Sequence, residues 1–164
     1  MSAPAAGALP GLANPVLVFD DVPAGTMEET LTEISLRLEA AGVVSDAEDL
    51  ARRLLDRERL GCTGLGSGIA IPHCKVRGLA DIVLAIAPCP SGVDFGAPDG
   101  ILVTLILAIL SPAEAPALHL QALARISRLL RTPGVADRLR AARTADGLLE
   151  ALRESEAGQA VPNR

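Results

Sequence analysis

The sequence predicts an α/β fold: a single three-layer domain whose mixed central β-sheet carries helices on both faces. Short apolar runs of strand length are interspersed with amphipathic stretches of helical period, in the order β-α-α-β-β-β-α-α-α. The 164 residues suffice for one domain with a substantial core. No internal repeat or low-complexity linker divides them.

The elements follow in order. Residues 1–14 lack the basic segment and compact apolar core of a signal peptide and read as a flexible tail. Val16 to Phe19 is an apolar strand. Thr26 forms a capping box with Glu29, and Leu31, Ile34 and Leu38 follow at helical spacing until Gly42 closes the helix. Ser45 and Glu48 repeat the pattern and open a second helix on Leu50, Leu54 and Leu55, ending near Gly61. A glycine-rich loop then leads into the strand Ile69-Ala70-Ile71, which Pro72 terminates, presenting His73 at its end. Asp81 to Ala87 and Ile101 to Leu110 are further buried strands, separated by Pro/Gly turn clusters. Pro116 to Arg131 is a long amphipathic helix on Leu118, Leu123, Ile126 and Leu130. Thr132 as N-cap with Pro133 at the first helical position starts a short helix, and Thr144 caps the last one. Residues 155–164 read as a second flexible tail, leaving 15–154 as the domain.

Composition narrows the function. Hydrophobic residues make up 49% and aromatics 1%, with neither Trp nor Tyr, so the core is built from Leu, Ile, Val and Ala. That leaves no aromatic platform for stacking single-stranded bases, and a net charge of −5 argues against nucleic acid. The longest apolar run, Ile101 to Leu110, is interrupted by Thr104 and is too short to span a bilayer, so a cytoplasmic protein without membrane insertion is expected. Cys62, Cys74 and Cys89 are an odd set without a CxxC pair, which argues against a disulfide framework.

The chemistry concentrates in GCTGLGSGIAIPHCK, Gly61 to Lys75. Gly61, Gly64, Gly66 and Gly68 allow backbone N–H groups to approach an anion, as a phosphate site requires. His73, one of two histidines, stands beside that loop; a neutral imidazole is nucleophilic near pH 7, and phosphoryl transfer needs mainly positioning and donors. Thr63, Gly64 and Gly66 are the candidate phosphate-binding positions, although Thr63 alternatively caps the turn. On its own, a histidine at a strand end is more often structural.

Other chemistries fit less well. Cys62, His73, Cys74, Cys89 and His119 offer zinc ligands, but at irregular spacing. A cysteine hydrolase would pair Cys74 or Cys62 with His119, and adjacent His73 and Cys74 on one strand point to opposite faces. The glycines precede a strand instead of opening a helix and lack the G-x-G-x-x-G spacing of a dinucleotide site.

Glu58, then Leu65-Gly66, then Ile69-Ala70-Ile71-Pro72-His73-Cys74 resembles the phosphorylation-site pattern of the fructose/mannitol-type (type 2) enzyme IIA domains of the bacterial phosphoenolpyruvate-dependent phosphotransferase system. The resemblance spans residues 15 to 154. It implies that His73 accepts a phosphoryl group from the phosphocarrier HPr, that Arg57 holds the phosphoryl oxygens, and that His119 in HLQAL is the family's second histidine. It implies no metal or nucleotide cofactor. HPr is expected to dock on an apolar rim of Leu65, Ile69 and Ile71. The phosphate then passes to a separate IIB protein in a sugar-transport relay, or serves as a signal to kinases or transporters, as in the nitrogen-regulatory branch; the free-standing domain favours the latter. Cys62 replaces the loop's usual serine, and Phe95-Gly96-Ala97-Pro98-Asp99 lacks the first acid of the nitrogen-related branch.

Overall fold

A computed structural model of the chain describes residues 2–159. The strands are β1 (Ala5–Leu9), β2 (Ala13–Val18), β3 (Gly64–Gly66), β4 (Ile69–Ala70), β5 (His73–Val76), β6 (Val83–Val93) and β7 (Val103–Pro112). The helices are α1 (Met27–Ala40), α2 (Ala47–Arg59), α3 (Pro116–Arg131), α4 (Val135–Ala141) and α5 (Ala145–Gln159). All seven strands form one sheet in the order β1-β2-β6-β7-β4-β3, with β5 also paired to β7. The sheet is mixed: β6 and β7 are antiparallel, while β2 runs parallel to β6, and β4 and β5 run parallel to β7.

The three layers follow from the alternation of strand side chains. On β7, Leu105, Leu107 and Ile109 face a core closed by α3, α4 and α5, while Ile106, Ala108 and Leu110 face one closed by α1 and α2. Covered on both faces, β7 is apolar without a break from Leu105 to Leu110, flanked by Thr104 and Ser111.

The helix starts show how local chemistry sets the frame. Thr26 and Glu29 form the expected reciprocal capping box on α1. For α2 the N-cap is Asp46, one residue beyond the expected Ser45: its carboxylate accepts from the Asp49 N–H at 2.9 Å. Thr132 does not cap α4; it ends α3, and Gly134, in the left-handed region at φ 82°, opens α4. Thr144 accepts from the Gly147 N–H at 3.0 Å, as a cap of α5 should.

Both expected tails carry structure. Residues 5–9 form β1, antiparallel to β2, and Leu9 and Leu12 are buried in the core. The segment Ala-Ala-Gly-Ala-Leu gives little hydrophobic contrast, yet its small residues let α5 approach: a side chain at Gly7 would meet Arg153 at 2.9 Å. Helix α5 runs past residue 154 to Gln159 and buries Ser155. Of the second expected tail, 160–164 lie outside the described residues.

Candidate functional site

The site forms where the end of α2, the start of β5 and the first turn of α3 meet. Leu50 and Leu54 bury one face of α2 against the sheet, which fixes where its last turn lies. Pro72 interrupts the strand after β4, so His73 opens β5 instead of closing the strand 69–71, and it pairs in register with Ile109 of β7. Cys74, on the opposite face, packs onto the α1/α2 core.

His73 is held at both ring nitrogens. Its Nδ1 lies 2.7 Å from the Ile71 carbonyl, and the Arg57 Nε–H donates to its Nε2 at 3.0 Å. A carbonyl only accepts and a guanidinium only donates, so the ring is neutral, with its proton on Nδ1 and its lone pair on Nε2. Burial pushes the imidazole pKa below its ordinary value; the Ile71 carbonyl opposes this, the Arg57 charge adds to it, and Glu58 opposes it weakly. A second donor from Arg57, Nη1, ties the guanidinium to the Gly61 carbonyl at 3.1 Å.

His119 completes the group. Its ring centroid is 5.5 Å from that of His73, tilted by 49°, and its Nδ1 lies 2.8 Å from the hydroxyl of fully buried Ser111. Burial lowers its pKa too, reinforced by His73, Lys75 and Arg57. Both rings line a cleft of 450 Å³ that also exposes the cations Arg53, Arg57 and Lys75, with Asp56 as its one acid. His73 is only 7% exposed, but what is exposed opens into this cleft. Neutral imidazoles among cations suit an anionic group. A larger cleft of 600 Å³ between α1 and α2 has neither imidazole, so size alone does not mark the chemistry.

The structure therefore brings Arg57, His73 and His119 together, and leaves Thr63, Gly64 and Gly66 outside the cleft. Thr63 is 5% exposed, and its N–H and hydroxyl both donate to the Glu58 carboxylate, at 2.8 and 2.6 Å. The Gly64 N–H donates to Cys62 Sγ, and a side chain at Gly64 would meet Ala97 at 3.0 Å. A side chain at Gly66, where φ is 85°, would crowd the Asp99 carboxylate, which accepts from the Ser67 N–H at 2.7 Å. These glycines serve close packing against the turn at 95–100. Glycine spacing signals close approach but not what approaches.

Arg59 points away and pairs with exposed Asp56 at 3.0 Å. Burial pushes the Cys74 and Cys89 thiols up to about 12, far from a nucleophile's range. Among the described residues, no three His, Cys, Asp or Glu side chains converge as a metal would require. Sequence reasoning missed two supports, Ser111 and the Thr63–Ile71 linkage. A polar residue directly after an apolar run was the only signal for Ser111, since a buried hydroxyl needs a partner.

Solved structures that share this fold include phosphotransferase-system components. The nitrogen regulatory protein IIA-Ntr from Neisseria meningitidis superposes with a TM-score of 0.74 at 31% identity, over 84% of this chain and 92% of that one. The IIA component in the complex of mannitol enzyme IIA with phosphorylated enzyme IIB from Escherichia coli gives 0.66 at 26% identity, over 84% and 94%. The chain belongs to the family described as "Phosphoenolpyruvate-dependent sugar phosphotransferase system, EIIA 2", whose model matches residues 12–155. It is also 37% identical over 139 residues to the nitrogen regulatory protein of Pseudomonas aeruginosa, covering 85% of this chain and 90% of that protein. Among the described residues, no helix is long and apolar enough to cross a membrane.

Proposed function

We propose that this chain is a phosphohistidine carrier of the phosphotransferase system, accepting a phosphoryl group from an HPr-type phosphocarrier on His73 in the cytoplasm and acting as a regulatory, nitrogen-type enzyme IIA. The observation that carries this reading is the tautomer: Nδ1 is committed to Ile71, and the lone pair on Nε2 faces Arg57 across 3.0 Å. The Nε2 lone pair forms the new N–P bond in line as the donor's bond to phosphorus breaks, its electron pair staying with the donor. The Nδ1 proton remains in place, and the ring carries the positive charge against the Ile71 carbonyl. Arg57 releases the lone pair and turns its fork onto the equatorial oxygens, with Lys75 and the His119 ring beside it. The start of α3, which has no acid in its first turn, adds a favourable dipole for the anion.

The docking surface differs from the rim expected in sequence. Ile69 and Ile71 are buried and Leu65 packs on the core, whereas Leu60 at the cleft and Leu120 beside His119 are 85% and 68% exposed. These two leucines give a phosphocarrier its apolar contact in our reading. The regulatory output is favoured by the likeness to nitrogen regulatory proteins over most of both chains. The alternative, relay to a separate IIB protein in sugar transport, draws on the likeness to the mannitol enzyme IIA solved with its IIB.

The test is incubation with phosphoenolpyruvate, enzyme I and HPr. Acid-labile phosphate should form on the wild type and be absent from His73→Ala; full labelling of that variant would refute the assignment.

A further inference from the structure

Glu58 is a buried charge to which the proposed transfer assigns no task. It lies at the penultimate position of α2, is 8% exposed, and is not part of the cleft. A carboxylate in a helix's last turn faces the negative end of the dipole, and burial adds a desolvation cost, so its retention needs a reason. Both its oxygens are occupied by Thr63, one by the N–H at 2.8 Å and one by the hydroxyl at 2.6 Å. From Thr63 the hydrogen bonds continue. The Thr63 carbonyl accepts the Ile71 N–H at 3.0 Å, and the Ile71 carbonyl faces His73 Nδ1 at 2.7 Å. The last turn of α2 thus reaches both nitrogens of one ring, Nε2 directly through Arg57 and Nδ1 through Glu58, Thr63 and Ile71.

We propose that Glu58 is a positioning residue: its clamp on Thr63 holds the Ile71 carbonyl against His73 Nδ1 and so keeps the acceptor lone pair on Nε2. The proposal deepens the phosphohistidine reading and rests on it. The opposite tautomer would set an Nε2–H against the Arg57 Nε–H, donor against donor, and leave the Ile71 carbonyl without its partner. It would also remove the nucleophile from the cleft. A rigid clamp on the backbone at Thr63 and Ile71 excludes that state, whereas a freely hinged loop would permit it.

The experiment reads the imidazole nitrogens of unphosphorylated, 15N-histidine-labelled protein at pH 8, alongside the rate of labelling by phosphorylated HPr. Wild type should hold the Nδ1–H tautomer. Glu58→Ala should give a mixture of tautomers and slow labelling by about 10- to 100-fold, with the half-saturating HPr concentration unchanged. Glu58→Gln, which still accepts one Thr63 donor, should fall between. If Glu58→Ala does not fold, Thr63→Val removes only the hydroxyl donor and should shift the tautomer in the same direction, while Thr63→Ser should restore it. An unchanged tautomer in a folded Glu58→Ala or Thr63→Val variant would overturn the proposal. A wild type that takes no label would instead overturn the acceptor reading, with the nitrogen spectra still deciding what Glu58 does to the ring.

Discussion

Replacing Arg57 by alanine removes the side chain that donates to the proposed acceptor nitrogen, His73 Nε2, and the structure sets the size of the effect. The guanidinium makes two hydrogen bonds in the resting protein, to His73 Nε2 and to the Gly61 carbonyl. In transfer it would exchange the first for charge-assisted bonds to phosphoryl oxygens. A hydrogen bond to a charged group is worth about 1.5–3 kcal/mol. At about 1.4 kcal/mol per decade, losing one such bond slows transfer about 10- to 150-fold. Arg53 and Lys75 share the cleft and retain part of the field, which places the expected loss toward the lower end. Arg57 is only half-buried and the freed Nε2 can turn to water in the cleft, so folding stability should change by less than about 1 kcal/mol. Arg57→Lys, which keeps the charge but not the fork, should be intermediate. Quenched-flow transfer from phosphorylated HPr, with denaturant melts on the same variants, measures both quantities. A transfer rate within about twofold of wild type would refute the role given to the guanidinium.

Two further outcomes are expected. Both imidazoles have pKa values lowered by folding from 6.5, so the unfolded chain binds protons more readily, and their contribution to stability is complete above pH 6.5 and is lost as pH falls through the folded values. The urea midpoint should therefore fall more steeply between pH 7 and about 5 in wild type than in a His73→Gln, His119→Gln double variant; equal slopes would contradict the lowered values. Cys62 is exposed, whereas Cys89 is buried and Cys74 half-buried, and both of these carry thiols pushed up to about 12. Iodoacetamide at pH 8 should modify Cys62 alone in the folded protein, and mass-spectrometric detection of alkylated Cys74 would count against its place in the core.

The layers and most helices were legible because their signals are local. The box at Thr26 and Glu29 and the periodicity from Pro116 to Arg131 each specify an element without tertiary help. The first strand was not legible, since Ala5 to Leu9 owes its extension to pairing with β2 and to the close approach of α5, neither of which leaves a periodic trace. At the site, the family pattern pointed to three side chains that the fold assembles from segments as distant as Arg57 and His119. The place of the loop was less legible: the fold sets Thr63, Gly64 and Gly66 outside the cleft. Thr63, Gly64 and Gly66 are residue types that bind phosphate and also residue types that pack a turn, and only Glu58 and Asp99 in three dimensions decide between these uses. The docking rim failed for a related reason. Leu65, Ile69 and Ile71 are apolar because they face the core, while Leu60 and Leu120 owe their exposure to where helices end and begin.

In the proposed transfer the phosphate resides on Nε2 of His73. Phosphorylating 15N-histidine-labelled protein through enzyme I and HPr, then recording the 15N–31P coupling, tests it on the atom concerned. A coupled Nε2 at His73 with Nδ1 still protonated is the expected result; coupling at Nδ1, or phosphate on His119, would contradict transfer to Nε2.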